Sequence, residues 1–264
     1  MARVPLTHLQ WKRLGFFKHG KMENPEYAKH VCNKYSKPPI PFPGRSLESV
    51  LELGPGEGGY TFGYALAAGC RDIVLVSPGK HFEPEHYLNE DCLRICGTSI
   101  DAATARSRTR YLTRGLASFQ EIHDQSIDLV FSHTVLQHVR LGDLDKIIDE
   151  MFRVTRSGGI GSHRIDFRDM LGGSINHLRI SKWWWEQDWF AAGRFYTNRL
   201  RHSQMINSFK RAGFEVVVDH QDQFKSMPAA ARHRSRDFAD LTDEDLLISG
   251  CDLVVRKPRS PTRQ

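Results

Sequence analysis

Long hydrophobic runs are missing from the chain. No apolar stretch approaches the roughly 20 consecutive residues that a helix needs to cross a bilayer. Residues 1–21 also contain neither an uninterrupted apolar segment nor the small-residue cleavage site of a secretory leader. We therefore expect a protein that lacks a membrane span and resides in the cytoplasm.

Cysteine is scarce, and acidic residues are outnumbered. The five cysteines are odd in number and scattered, and no second Cys or His pair joins Cys92 and Cys96 at zinc-finger spacing. We therefore predict neither a disulfide framework nor a structural metal. The formal charge of +6 permits an acidic partner such as nucleic acid, an anionic glycan or a membrane surface without demanding one. A nucleic-acid partner is allowed but not favoured, and the oligomeric state is not predicted.

Short apolar runs alternate with amphipathic segments along most of the chain. This alternation predicts a doubly wound, mostly parallel α/β sheet. A late pair of strands after residue 213 can close one edge of that sheet in the antiparallel direction. The predicted strands are 49–53, 72–76, 110–112, 127–132, 160–165, 214–219 and 251–256, and the predicted helices are 60–68, 85–96, 143–155, 203–212 and 241–247.

A glycine-rich turn, VLELGPGEGGY (50–60), follows the first strand and precedes the first helix. Gly54, Gly56 and Gly58 let the backbone turn sharply and approach a ligand without Cβ clashes, although a tight turn needs glycine for purely structural reasons as well. The spacing differs from the dinucleotide fingerprint, and no Lys-Ser/Thr follows as in a P-loop. The turn therefore predicts a ligand cradle of another kind.

Three further segments follow the turn in a recognisable order: IDLVFSH (127–133), VLQHV (135–139) and FRVTRSGG (152–159). Together with the turn, they resemble the motifs of class I S-adenosylmethionine-dependent methyltransferases over residues 48–166. Pro-Gly-Gly is more usual in the last of these segments. The resemblance implies a Rossmann-like methyltransferase fold, a methyltransferase activity and S-adenosyl-L-methionine as cofactor. SHRIDFRDM (162–170) and FYTNRLRHS (195–203) are similar to a bacterial group associated with glycan and other secondary biosynthesis.

Five segments are predicted from this pattern, with boundaries set by changes in composition. They are an N-terminal cover segment with a Pro-rich linker (1–45), the cofactor-binding core (46–166), an aromatic and basic lid insertion (167–202), the C-terminal part of the core sheet (203–258) and a basic tail (259–264). The tryptophans of the insertion could stack on sugars or bases. A hydrophobic underside of a lid is favoured, because adjacent tryptophans cannot all face one ligand.

The resemblance also implies a set of cofactor-binding residues. Family members usually end the second strand in an acid that binds the ribose, whereas this chain has Ser77, and the usual acid near the third strand is missing from 111–114. The cofactor residues implied are Glu52, Gly54, Pro55, Gly56, Gly58, Ser77, Ser132 and His133.

Methyl transfer to a hydroxyl needs a base near neutral pKa. We predict O-methylation of a small molecule or saccharide, with His163 as the base, Asp166 as its support and His133 as the next candidate. A loop histidine that is only hydrogen-bonded is the simpler interpretation of His163. As an alternative, His163, Asp166 and Asp169 could hold a divalent cation that binds a sugar diol.

Two other functions stay open. Basic charge and interleaved aromatic residues allow a nucleic-acid methyltransferase, although NPPY-type and Pro-Cys catalytic motifs are missing. The missing ribose acid allows a methyltransferase-like binding protein without catalysis.

Overall fold

A computed structural model describes residues 21–36, 47–170, 172–193 and 195–259. The predicted Pro-rich linker and nearly all of the predicted tail lie outside these ranges. The strands are β1 (Ser49–Leu53), β2 (Asp72–Val76), β3 (Thr109–Leu112), β4 (Ile127–His133), β5 (Thr155–Asp166), β6 (Glu215–Gln223) and β7 (Ile248–Arg256). They form one sheet in the order β3-β2-β1-β4-β5-β7-β6, in which β7 runs antiparallel to both neighbours. The predicted doubly wound sheet with an antiparallel edge is confirmed.

Helices cover both faces of this sheet. They are α1 (Pro25–Ser36), α2 (Tyr60–Ala67), α3 (Glu90–Ile95), α4 (Ala102–Ser107), α5 (Leu141–Val154), α6 (Lys182–Trp185), α7 (Asp188–Ala191), α8 (His202–Arg211) and α9 (Asp243–Leu247). Short 3₁₀ turns connect several of them. No helix within the described ranges is long and apolar enough to span a bilayer.

The two faces of the sheet carry separate apolar cores because side chains alternate along each strand. On one face, Leu51 and Val130 pack with Ile148 of α5 and Phe209 of α8. On the other, Ile73 and Leu129 pack with α2, α3 and part of α1. All five β1 residues are buried, as expected for a central parallel strand.

The helix predicted over 85–96 is wrong in its first half. A 3₁₀ turn at Pro84–His86 comes first, and α3 begins only after Asn89. The Asn89 side chain accepts a hydrogen bond from the Cys92 amide at 2.9 Å, so that it caps the shorter helix.

The insertion between β5 and α8 contains the short helices α6 and α7. Trp185 is fully buried, and its ring contacts Phe190, Phe195 and Tyr196. Its indole nitrogen donates to the Thr197 carbonyl at 2.7 Å. One tryptophan therefore forms the interior of the insertion, while its sequence neighbours lie outside it. That the insertion acts as a lid stays a prediction.

Candidate functional site

A cavity of about 470 Å³ opens at the carboxyl ends of β1, β4 and β5. Open α/β sheets bind ligands at this edge, where the strand order reverses between β1 and β4. The lining residues come from the segment around α1, the glycine turn, the ends of β4 and β5, and the insertion. They are Met22, Tyr27, Gly54, Gly56, Glu57, His133, Thr134, Val135, Gln137, His138, Asp166, Met170, Ala191, Gly193 and Tyr196.

Two glycines of the turn lie on the cavity wall in a conformation that favours glycine. Gly54 has φ +72° and Gly56 has φ +73°. A Cβ on Gly54 would lie 2.5 Å from Cγ2 of Val135. Gly58 serves a different contact, because its Cβ would lie 2.1 Å from the Met22 carbonyl oxygen. The first two glycines shape the cradle, and Gly58 lets the chain before α1 lie against it.

Glu52 lies behind the turn and does not line the cavity. Its buried carboxylate accepts a hydrogen bond from the Thr61 hydroxyl at the start of α2. Burial raises the pKa of Glu52 to about 8, an effect that the Thr61 hydrogen bond opposes. The side chain therefore fixes the start of α2 relative to the end of β1.

Ser77 and Pro55 also lie outside the cavity lining. The Ser77 hydroxyl is buried and has no hydrogen-bond partner in the part of the chain that the structure describes. A buried hydroxyl without a partner is unusual in a folded protein. Ser77 follows β2 at the edge of the sheet that carries the turn.

His133 ends β4 at the cavity, next to the helix α1. Its Nε2 lies 3.2 Å from the Tyr27 hydroxyl. Burial is the main cause that lowers the pKa of His133 to about 4, and nearby Lys34 and Arg164 add to it. The imidazole is therefore neutral near pH 7.

His163 lies in the core and does not line the cavity. The strand β5 continues to Asp166, so His163 sits within it and faces α8, where its ring packs 5.1 Å from the Phe209 ring. Its Nδ1 lies 2.9 Å from the hydroxyl of Ser132, which is buried as well. Burial lowers the pKa of His163 to about 3. An acceptor in the cavity does not meet this imidazole.

His138 is the exposed cavity histidine to which the sequence pattern assigned no role. Its Nδ1 lies 2.9 Å from the Tyr196 carbonyl oxygen. A carbonyl only accepts, so Nδ1 carries the proton and Nε2 of the neutral ring is left as an acceptor. The carbonyl thus selects the tautomer that a general base requires.

A second cavity, of about 610 Å³, adjoins the first and shares Gln137, His138, Asp166 and Met170 with it. The rest of its wall includes Arg168, Asp169 and Thr197. The shared residues form a common wall between two spaces of ligand size.

The acids near these cavities have other partners than a metal. Asp166 accepts from Arg168, with Nη2 and Oδ2 at 2.7 Å, and Asp169 accepts from the Asn176 amide. The three side chains of the alternative cation site therefore do not come together, because His163 points into the core while the two acids lie at the cavities. Among the described residues, His202, Asp219 and Cys251 form a compact group, in which His202 Nε2 already pairs with Asp219 at 2.8 Å.

Residues 51–162 match the family model of a methyltransferase domain. No curated protein sequence matches the chain significantly. A complex between the Haloferax volcanii Trm112 methyltransferase activator and a methyltransferase matches with a TM-score of 0.50 and 17% identity, over 92% of this chain and 94% of that chain. The cyclase SpnF matches with a TM-score of 0.51 and 15% identity, over 89% of this chain and 81% of that chain.

A further similar structure is phosphoethanolamine N-methyltransferase 2 from Haemonchus contortus, in complex with S-adenosyl-L-methionine. It has a TM-score of 0.51 and 15% identity, over 89% of this chain and 53% of that chain. Identities this low establish the fold alone. The matched domain makes the protein a methyltransferase with S-adenosyl-L-methionine as cofactor. The matched domain, the glycine turn and the strand order give the chain the Rossmann-like fold of class I S-adenosylmethionine-dependent methyltransferases.

Proposed function

We propose that the enzyme methylates a hydroxyl group of a small, saccharide-like acceptor. The cofactor occupies the first cavity, and the acceptor enters from the second. The observation that carries this proposal is the position of His138, which lies on the wall shared by both cavities with its tautomer set by Tyr196. A base at this wall meets the acceptor hydroxyl where the methyl group arrives.

The residues of the first cavity fit the cofactor. Gly54 and Gly56 line this cavity with bare backbone, against which Val135 and Met22 pack closely, and His133 lines it as well. The unpartnered Ser77 hydroxyl offers one hydrogen bond toward a ribose, in place of the usual acid. Glu52 acts indirectly in this scheme, by holding the turn and α2 together.

The chemistry requires a proton acceptor in line with the transfer. When bound, S-adenosyl-L-methionine supplies an electrophilic methyl group on a sulfonium. His138 Nε2 would accept the hydroxyl proton as the acceptor oxygen bonds to the methyl carbon and the carbon–sulfur bond breaks, with its electron pair left on sulfur, and the Tyr196 carbonyl would stabilise the resulting imidazolium. Asp166 and Gln137 border the same wall and position the acceptor.

The charges of the second cavity favour a hydroxylated acceptor over a nucleic acid. Arg168 is the arginine among the lining residues of this cavity. Its guanidinium forms a salt bridge with Asp166. Asp169 adds a further carboxylate. A phosphate-rich strand would need an excess of positive charge here, whereas a neutral polyol needs only hydrogen-bonding groups.

The test is the replacement His138→Ala, assayed with a methyl-labelled cofactor and a panel of sugars and other polyols. Loss of a positioned base should lower turnover by roughly 10²- to 10⁴-fold. Cofactor affinity, measured by calorimetry, should be nearly unchanged.

Two other histidine-to-alanine variants serve as controls for His138→Ala. His123→Ala removes an exposed histidine that lines neither cavity and should leave turnover unchanged. His163→Ala should lower stability through the core, yet keep the pH dependence of the folded enzyme. Turnover of His138→Ala within about twofold of the native value would reject this base. Methyl incorporation into RNA instead of polyols would reject the acceptor class.

A further inference from the structure

Three tryptophans project from the insertion into solvent. The exposed fractions are 65% for Trp183, 52% for Trp184 and 56% for Trp189, whereas Trp185 between them is buried. We name these three residues the tryptophan surface. Large exposed aromatic side chains in contact with one another mark a binding surface, because single scattered apolar residues are the rule elsewhere. Methyl transfer as proposed above makes no use of them.

The rings contact one another edge to face. Trp183 and Trp184 have centroids 4.7 Å apart at 81°, and Trp184 and Trp189 have centroids 6.2 Å apart at 76°. A sugar chain or a single-stranded nucleic acid stacks on ring faces that follow one another along a groove. Perpendicular rings offer no such succession of faces. They form a compact apolar projection, which suits the interfacial region of a bilayer, where tryptophan is enriched.

Positive charge flanks the projection. Three exposed basic residues lie near it along the chain or through a contact: Lys182 directly precedes Trp183, Arg179 lies three residues earlier, and Arg236 adjoins Asp237, which accepts from the Lys182 amide. Three carboxylates lie near these basic residues. Asp188 pairs with Arg140 at 3.1 Å, Glu186 lies 3.9 Å from Arg199, and Asp237 keeps its charge while it accepts from the Lys182 amide at 2.6 Å. The whole chain carries a formal charge of +6. These charges complement anionic lipid headgroups, which attract basic side chains near an apolar anchor.

The tryptophan surface shares the helix α7 with the lining of the first cavity. Trp189 belongs to α7, and Ala191 at the end of that helix lines the cavity, as does Gly193. Met170, which is 48% exposed, lines both cavities. A lipid surface in contact with the tryptophans would therefore lie next to the entrance.

We propose that the enzyme docks peripherally on anionic lipid bilayers through the tryptophan surface, so that acceptors reach the cavity from the membrane interface. The three indoles enter the headgroup region, and the basic side chains contact lipid phosphates. This inference concerns a surface outside the catalytic wall and stands independently of the O-methylation proposal.

The test is sedimentation of the full chain with vesicles of phosphatidylcholine, with and without phosphatidylglycerol. The combined variant Trp183→Ser, Trp184→Ser and Trp189→Ser should weaken binding to the anionic vesicles by about tenfold or more. Ile95→Ser removes an equally exposed apolar side chain, on α3, and should bind as the native chain does. Replacing Arg179 and Lys182 with glutamine should abolish the preference for phosphatidylglycerol. Brominated lipids should quench the fluorescence of the native chain more than that of the tryptophan variant.

Several results would overturn the proposal. They are the absence of native binding to anionic vesicles, equal binding by the tryptophan variant, or self-association in light scattering that the same variant removes. Retardation in polysaccharide gels that depends on these tryptophans, without vesicle binding, would assign the surface to a glycan. His138→Ala should bind vesicles normally, so a failure of docking and a failure of the proposed catalysis are separate outcomes.

Discussion

At the scale of single residues, the protonation of Glu52, behind the glycine turn, makes the stability of the fold depend on pH. Its folded pKa of about 8 lies above the value of about 4.3 for an unfolded chain. Between these values the folded state holds a proton that the unfolded state has lost. Stability without cofactor should therefore fall as the pH rises from about 4.5 to about 8.

Glu52→Gln should flatten this pH dependence, because an amide keeps the hydrogen bond from Thr61 and does not ionise. The variant should be more stable than the native chain by on the order of 1–3 kcal/mol near pH 8, and about equal to it near pH 5. Denaturant unfolding across this range measures the difference. A parallel pH dependence in both proteins would contradict the raised pKa.

Thr134 is a second residue whose local conformation reflects the site. It follows β4 at the cavity with φ +56°, where a β-branched side chain is strained. Its amide donates to the Arg164 carbonyl at 2.9 Å, and its hydroxyl donates to the His133 carbonyl at 2.7 Å. The strained turn aims His133 and the start of the His138 segment at the cavity.

Thr134→Gly should relieve the strain and raise stability by about 1 kcal/mol, while turnover falls because the turn is looser. Thr134→Ala keeps a Cβ at positive φ and loses the hydroxyl, so it should gain no stability. Thermal unfolding and turnover of the two variants separate these effects. Both variants lack the hydroxyl, so a glycine variant that is less stable than the alanine variant would show that the strain at φ +56° is smaller than the freedom that glycine adds to the unfolded chain.

The sequence located only part of the candidate site. Gly54, Gly56, His133 and Asp166 lie at the cavity as expected from their places after strands. His163 was misplaced because it lies inside the strand, already within the predicted range 160–165, where the alternation of side chains turns it toward Phe209 and away from the cavity. The role proposed for His138 depends on its contact with the carbonyl of Tyr196, 58 residues further along the chain. A local sequence pattern does not reveal such a contact.

At the scale of elements, buried strands were the easiest to predict. β1 and β2 match the predicted ranges because each is an apolar run between turn residues. The helix α1 was missed. It buries Ala28 and Val31 in a mostly polar segment, so its amphipathic stripe is narrow. The helix α4 has six residues, too few to show a helical period.

The position of α1 depends on Gly58, because any Cβ there meets the Met22 carbonyl at 2.1 Å. Gly58→Ala should displace the chain before α1 and speed amide exchange in that helix by about tenfold or more, while exchange in β1 and β4 stays slow. Hydrogen exchange with mass spectrometry resolves the two regions. Gly79→Ala is the control, since a Cβ there meets nothing within 4 Å. Unchanged exchange in α1 would show that the contact is not needed.

At the scale of the whole molecule, one sheet joins both cores. The cofactor cavity lies at the edge of β1 and β4, which contribute to the cores on both faces. A ligand bound there should stabilise the sheet as one cooperative unit, because it contacts no separately folding part. The membrane surface proposed for the insertion shares the helix α7 with the cavity lining, and none of its three tryptophans lines the cavity, so docking and cofactor binding are compatible.

S-adenosyl-L-methionine at about 100 times its Kd should therefore stabilise the fold by about 2.7 kcal/mol. For a chain of this size that gain raises the Tm by roughly 5–10 °C, in a single transition seen by both circular dichroism and tryptophan fluorescence. ATP, which shares the adenosine but lacks the methionine part, is the control and should shift the Tm much less. Gly56→Val should remove the shift, because a branched side chain at φ +73° fills the cradle and approaches Met22. A native chain that shows no shift would support a binding protein without catalysis, whereas a full shift in Gly56→Val would place the cofactor away from the turn.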